Sequence, residues 1–340
     1  MSDAPRFGVL LPSREQVILG NLSMSALVDF ARRVEELGFD SVWTGDSLVA
    51  RPRLDPLITL TAAGTATTRV TLGTAALTPA LRHPVVGASM VSSLDHACGG
   101  RLTLGLGSGF PMPETEDEFG LVDAVFAGRA GRLDEITDLW RTAWRSGSPG
   151  TPVDFTGRHW QAAGLDRLPS PYRSGGPPLW LAGSDTPAVL RRVARRYDGW
   201  LPFLPSADSY AAARETIARL CVEAGRPADA VVPGLYATLT LDDDPTAARA
   251  ELEDYVQRYY GRPLEMMMQI QAYGWGSAQT CAQWLRGYLR AGARHVVIRI
   301  GSLDAVSQLE RIGAELLPAL RAVADEPVMA GAGANREETP

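Results

Sequence analysis

The most glycine-rich stretch of the chain is Gly105-Leu-Gly107-Ser108-Gly109-Phe110. Missing side chains at a strand end let a flat ligand approach the backbone, and a tight turn has the same requirement. A dinucleotide fingerprint needs glycine where Phe110 stands and opens the first βαβ unit, whereas this stretch falls in the fourth. A second candidate, Gly183-Ser184-Asp185-Thr186, follows an apolar run and opens a helical pattern. The free N–H groups of a helix N-terminus and two hydroxyls suit a phosphate; Ser184 or Asp185 could equally cap the helix. Asp46 follows the second apolar run, placed either to accept a hydrogen bond from a ligand or to cap a turn.

Other chemistries lack their residues. All 33 basic residues are arginine, so neither a Schiff-base nor a Walker-type lysine exists. His83, His96, His159 and His295 show no metal-ligand spacing, and no Gly-x-Ser-x-Gly elbow occurs. No metal site is expected. Cys98, Cys221 and Cys281 are far apart and odd in number, which argues for a reducing compartment. A net charge of −6 disfavours general binding to nucleic acid or anionic membrane. No apolar run approaches the roughly 18 residues that span a bilayer, and no basic-then-apolar leader opens the chain. A cytoplasmic protein is expected. Glu114, Glu116, Asp117 and Glu118 read as a solvated loop. Met266-Met267-Met268 with Tyr259, Tyr260, Tyr273 and Trp275 reads either as core or as the wall of an apolar substrate pocket.

Short apolar runs alternate with amphipathic stretches along the chain. Strands are predicted at 7–11, 40–44, 69–75, 101–105, 178–182, 199–201, 235–241 and 294–300. Between them Leu27, Phe30, Ala31, Val34 and Leu37 recur at helical spacing, and Pro84 takes a first-turn position. A helical region is expected over 245–290. Eight strand–helix units imply parallel strands joined by helices, and eight is the count of a (β/α)8 TIM barrel; a doubly wound sheet is the alternative. The expected organisation is one domain over 1–324 with insertions at about 110–128, 146–177 and 255–277, then a disordered tail at 325–340.

The ordered set of segments resembles the luciferase-like family of flavin and deazaflavin oxidoreductases. The match is carried by Asp55-Pro-Leu, Arg69 through Pro79, Arg82-His-Pro, Leu94-Asp-His and Gly99 through Gly109. Gly157-Arg-His, Pro177 through Gly183 and Asp198-Gly-Trp200 follow in order. The resemblance implies a TIM barrel with insertions, forming homodimers, with reduced FMN or coenzyme F420 at its C-terminal mouth. It further implies a cis peptide at Ala75–Ala76 backing the ring, with Thr74 beside it. Gly107, Ser108 and Gly109 would flank the ring or ribityl chain, and Gly183, Ser184, Asp185 and Thr186 would hold the phosphate.

One departure bears on mechanism. Deazaflavin members commonly show Asp-His after the second strand, and luciferase-type monooxygenases Glu-His-His; here Asp46 precedes Ser47 and Leu48. The resemblance therefore keeps Asp46 as the catalytic candidate and leaves the proton donor open among His159, Tyr236 and Tyr273. The first reading is hydride transfer from reduced F420 to an activated C=C or C=N bond of a small molecule or small peptide, with a separate cofactor reductase. The alternative is an FMN-dependent monooxygenase. A third reading is a degenerate member that binds cofactor without turnover.

Overall fold

The computed structural model describes residues 4–145 and 151–324, and all eight predicted strands form. They are β1 (Arg6–Leu10), β2 (Ser41–Thr44), β3 (Thr71–Leu77), β4 (Leu102–Leu106), β5 (Leu179–Ala182), β6 (Gly199–Leu201) and β7 (Val232–Leu241), with β9 (His295–Ile300) last. Every pairing among them is parallel, and β6–β7, β7–β9 and β9–β1 contacts close the barrel. Helices cover the outside, so these strands are buried on both faces. They read as continuous apolar runs for that reason; β9 is buried at all six positions.

Two segments differ from expectation. Within 245–290 the chain forms a helix Pro245–Tyr260, one turn at Leu264–Met267, a further strand β8 (Ala272–Gly276) and a helix Ala278–Arg290. The strand pairs in parallel with Ala237–Leu241, the C-terminal half of β7. Its sequence, Ala-Tyr-Gly-Trp-Gly, sets two glycines against helix and two aromatics in favour of strand. The acidic run at 114–118 is helical over Pro113–Gly120. Proline at the first position and acids in the first turn are N-terminal helix signals. The insertion at 146–177 contains a two-stranded ribbon, Phe155–Thr156 with Gln161–Ala162. Residues 325–340, where a tail is expected, lie outside the described residues.

The barrel interior holds large rings where strands carry glycine. Trp43 and Trp180 lie with centroids 5.6 Å apart, and His295 stands edge-on to both at 5.4 and 5.3 Å. A polar chain threads them: Trp43 Nε1–H donates to Ser41 Oγ at 2.7 Å, and Ser41 Oγ lies 2.7 Å from His295 Nε2. A methyl group added at Gly73 would sit 2.2 Å from the Trp43 ring, and one at Gly199 2.5 Å from Trp180. Leu10, Leu201 and Val297 complete this inner core, which is separate from the larger one between barrel and helices.

Gly73→Ala should therefore destabilise the protein by about 1–3 kcal/mol, the range for overpacking. The loss should shrink in a Trp43→Phe background, which denaturant melts of the four proteins will measure. Burial, seconded by the Arg6 charge, pushes the His295 imidazole down to about 3. The unfolded chain takes up that proton near pH 6.5 and the folded one does not. Stability should fall as pH drops below about 6.5, by up to about 1.4 kcal/mol per pH unit from this group. His295→Gln should flatten that acid limb, and equal slopes would refute the assignment.

Candidate active site

The C-terminal ends of β2 to β6 surround a cleft with two connected chambers of about 420 and 760 Å3. Ala76, Phe110, Ala182, Phe203 and Ile270 line both, so the cleft is continuous. The Ala75–Ala76 peptide is cis, at the point where β3 slips register against β4. Asp46, Ala75 and Ala76 line the smaller chamber. Gly107, Ser108, Gly109, Gly183, Ser184 and Asp185 line the larger one. Three crossovers thus gather residues from four parts of the sequence.

Two expected residues fall outside the cleft lining. Thr74 is buried and its hydroxyl donates to the Gly105 carbonyl at 2.8 Å, tying β3 to β4. Thr186 is exposed at the start of the helix Pro187–Arg196, which has no side-chain cap. Ser184 Oγ accepts a long hydrogen bond from Thr186 N–H at 3.5 Å just ahead of the helix, whose own N-cap residue Thr186 makes no side-chain cap, and Asp185 caps nothing. Arg129 and Arg192 share this chamber; Arg192 pairs with Asp134 at 2.9 Å.

Asp46 reaches the cleft with its carboxylate already engaged. It accepts from Arg82 Nη1 at 2.7 Å, Arg82 Nη2 at 3.1 Å and Thr78 N at 3.0 Å, and Arg82 also reaches Asp55 at 2.6 Å. Burial raises its pKa, against the pull of Arg82. A carboxylate held bidentate by arginine is a positioning group more than a proton carrier.

Ser47, standing where relatives of the resemblance carry histidine, donates to Glu118 at 2.7 Å. The same carboxylate oxygen accepts from the Leu48 N–H, from Val49 N at 2.9 Å and from Ala50 N at 3.4 Å. Glu118 is buried, which corrects the solvated-loop reading: it anchors the β2 loop. Nothing local in Glu114–Glu118 marks that role, because its partners are some 70 residues away in sequence.

The remaining wall is aromatic and basic. Met266, Met267, Tyr236, Tyr259 and Tyr260 line the smaller chamber, while Tyr273 is buried behind it with its hydroxyl on Gln271. The methionines and tyrosines therefore serve both as wall and as core. His159 lies elsewhere, on a loop held by Glu135 and against Trp160. Burial drives the Tyr236 phenol well above its usual range. Tyr260 behaves oppositely. Burial would raise it, but Arg299 Nη1 donates to its oxygen at 2.5 Å, and Arg51 stands 5.0 Å over its ring. The two cations hold the phenol below its ordinary pKa. Arg299, a lone charge in the apolar run of β9, was the available signal in the sequence, since a buried charge requires partners.

Residues 5–295 match the family model described as luciferase-like monooxygenase. The chain belongs to that family. Among similar proteins is an F420-dependent glucose-6-phosphate dehydrogenase of Nocardia farcinica, 26% identical over 88% of this chain and 94% of its own length. The fold is shared with an F420-dependent secondary alcohol dehydrogenase in complex with an F420–acetone adduct. That likeness has a TM-score of 0.77 at 17% identity and covers 93% of this chain and 99% of the other. It is also shared with the monooxygenase RslO1 of Streptomyces bottropensis, TM-score 0.75 at 20% identity, covering 92% of this chain and 99% of that one. The barrel is thus shared by proteins named for different chemistries.

A titration followed at 295 nm should show one tyrosine ionising below the ordinary phenol range near pH 10, well ahead of the phenols that burial pushes upward. Tyr260→Phe should abolish that step, and Tyr273→Phe should keep it. Superimposable curves for wild type and Tyr260→Phe would remove the charge-stabilised phenol from the site.

Proposed function

We propose that the chain is an oxidoreductase moving hydride from reduced coenzyme F420 to an activated C=C or C=N bond of an organic substrate. The observation that carries this reading is the continuous cleft itself. Its small-residue floor at Ala75–Ala76 adjoins Gly107–Gly109 and ends on the uncapped loop Gly183–Asp185. A flat ring fits the floor, and a phosphate fits free N–H groups at the loop. The Nocardia dehydrogenase, similar over most of its length, supports the deazaflavin. Asp46, and the absence of a Glu-His-His segment, point the same way.

Bound F420 supplies a carbon hydride donor or acceptor with little reactivity toward O2. The chain's residues do the rest. Ala75, Ala76 and Gly107 seat the ring, the loop at 183–185 takes the phosphate, and Asp46 with Arg82 fixes the neighbouring backbone at Thr78. Tyr260, facing the smaller chamber, holds the proton that must join or leave the substrate as hydride moves, a task that falls to histidine where Ser47 stands. On the same reading the protein is cytoplasmic and homodimeric, and a separate reductase or dehydrogenase recycles the cofactor. The three buried, unpaired cysteines support a reducing compartment.

Oxidised F420 should bind at micromolar concentration by fluorescence, and FMN should bind at least roughly tenfold more weakly. Ser184→Glu should weaken F420 by at least about tenfold, or about 1.4 kcal/mol, with the melting temperature unchanged. Product should form anaerobically from reduced F420. Preferential FMN binding, or 18O from labelled O2 in the product, would replace this reading with the FMN-dependent monooxygenase.

A further inference from the structure

Arg33, Arg82, Arg192, Arg196, Arg219, Arg249 and Arg311 each lie within 4.0 Å of a carboxylate, while Arg101 and Arg226 give their guanidiniums to backbone carbonyls at 2.7 Å. The smaller chamber is different. Arg51, Arg53 and Arg262 line it, with Arg14 and Arg299 behind the wall, and none of the five forms such an ion pair among the described residues.

Every nearby acid is committed. Asp46 is held by Arg82, Glu118 by the backbone of the β2 loop, and Glu265 by Arg249 at 2.5 Å. Glu15 is fully buried, accepts from Tyr255 at 2.5 Å, and its burial favours the neutral acid. Arg299 is accommodated by tyrosine rings and hydroxyls, with five ring centroids between 4.7 and 5.9 Å. Arg51 and Arg53 have less. Arg53 gives Nε to the Arg51 carbonyl at 3.2 Å and Nη2 to Tyr259 at 3.1 Å, leaving Nη1 without an acceptor among the described residues. Gly45 makes room for that Nη1, since a methyl there would lie 2.2 Å from it. The Arg51 guanidinium lies over the Tyr260 ring, 5.0 Å from its centroid, and its one hydrogen bond among the described residues is to the soft Met112 sulfur, at 3.6 Å. Two guanidiniums facing a partly desolvated chamber without a counter-ion make a site complementary to an anion.

The other side of the chamber is apolar. Phe110, Met112, Met266 and Ile270 face it, and Phe110, Met266 and Ile270 are 42%, 49% and 39% exposed. Adaptable thioethers suit an apolar body of variable shape. Sugar hydroxyls placed against them would lose hydration without gaining partners, which costs about 1–3 kcal/mol for each group left unmade.

We propose that this chamber binds an amphiphilic organic anion, a carboxylate or phosphate monoester on an aromatic or aliphatic body. The acid group sits on Arg51 and Arg53, and the body lies against Met112, Met266 and Ile270. A polyhydroxylated sugar phosphate, such as the substrate named for the Nocardia relative, is disfavoured. The inference deepens the substrate side of the cleft and rests on the proposed cofactor, whose ring would lie on the Ala75–Ala76 floor beneath the substrate while its phosphate lies in the larger chamber.

Calorimetric titration of the full chain with 4-phenylbutyrate, phenyl phosphate, 4-phenylbutan-1-ol and glucose 6-phosphate tests it. At least one aromatic anion should bind roughly tenfold tighter than the alcohol and the sugar phosphate, and its affinity should fall with added salt. The better of the two identifies the acid group. Arg51→Gln with Arg53→Gln should weaken that anion at least roughly tenfold while F420 affinity stays within about threefold. Arg262→Ala, at an exposed position, should give a smaller loss in the same direction. Equal affinity for the alcohol, tighter binding of glucose 6-phosphate, or a double variant that weakens F420 as much as the anion would overturn the proposal. Anion binding as expected in a protein that fails to bind F420 would uphold it and reject the proposed cofactor.

Discussion

The inside of the barrel is filled by Trp43, Trp180 and His295, and parallel strands close around rings of that size only where their neighbours lack side chains. Gly73 and Gly199 are those gaps. Trp43 and His295 are joined in one hydrogen-bonded chain through Ser41, and Trp180 packs against both rings, so β2, β5 and β9 are tied across the centre as well as through the sheet. That plug sets the height at which each strand leaves the barrel. The floor of the cleft, the glycine turn after β4 and the loop after β5 take their mutual positions from it. A packed interior at close to crystal density has little freedom to adjust one of these without the others.

Above the plug, charge organises the mouth. Asp46, Arg82 and Asp55 form a compact triad that ties the end of β2 to the turn after β3 and to the N-terminus of the helix Pro56–Ala66, which Asp55 caps. Glu118 then gathers the next stretch of loop through consecutive backbone N–H groups. With those acids spent on structure, the arginines beyond them face tyrosine, methionine and the open chamber. The low dielectric of the wall strengthens their field there. The same field that holds Tyr260 below its usual pKa faces the chamber in which we propose an anion. On that proposal, proton handling and substrate charge are two consequences of one arrangement.

Ser47, standing where the resemblance implies a histidine, fits this picture. Serine at 47 is small enough to turn back onto Glu118, and the β2 loop follows that anchor to bring Arg51 and Arg53 to the chamber. A histidine there would place a titrating ring at the mouth; in this chain Tyr260 and Arg299, from the other side of the barrel, stand nearest to that task.

Much of this was readable before any coordinates. The strand runs of 7–11, 40–44 and 294–300 announce themselves because parallel strands covered on both faces must be apolar throughout. The segments Gly107–Gly109 and Gly183–Asp185 were legible as bare ends of apolar runs, whereas Ala75–Ala76 entered only through the family resemblance. What the sequence by itself determined is thus the local part: which stretches are strands, which ends are bare, and which chemistries lack their residues. The strand Ala272–Gly276 was hidden inside a helical region because its stability comes from pairing with β7. Thr74 was misplaced because alternation along a bulged strand decides which side chain faces the cleft. Glu118 and Arg53 carry no local mark, while Arg299 and Tyr260 stand out only as a lone charge in an apolar run and as one of a cluster of aromatics, neither of which says what they meet. Their roles arise from charges and donors brought together across up to some 250 residues of chain. Coulombic and hydrogen-bond energies depend on distance in space, and only the closed barrel sets that distance.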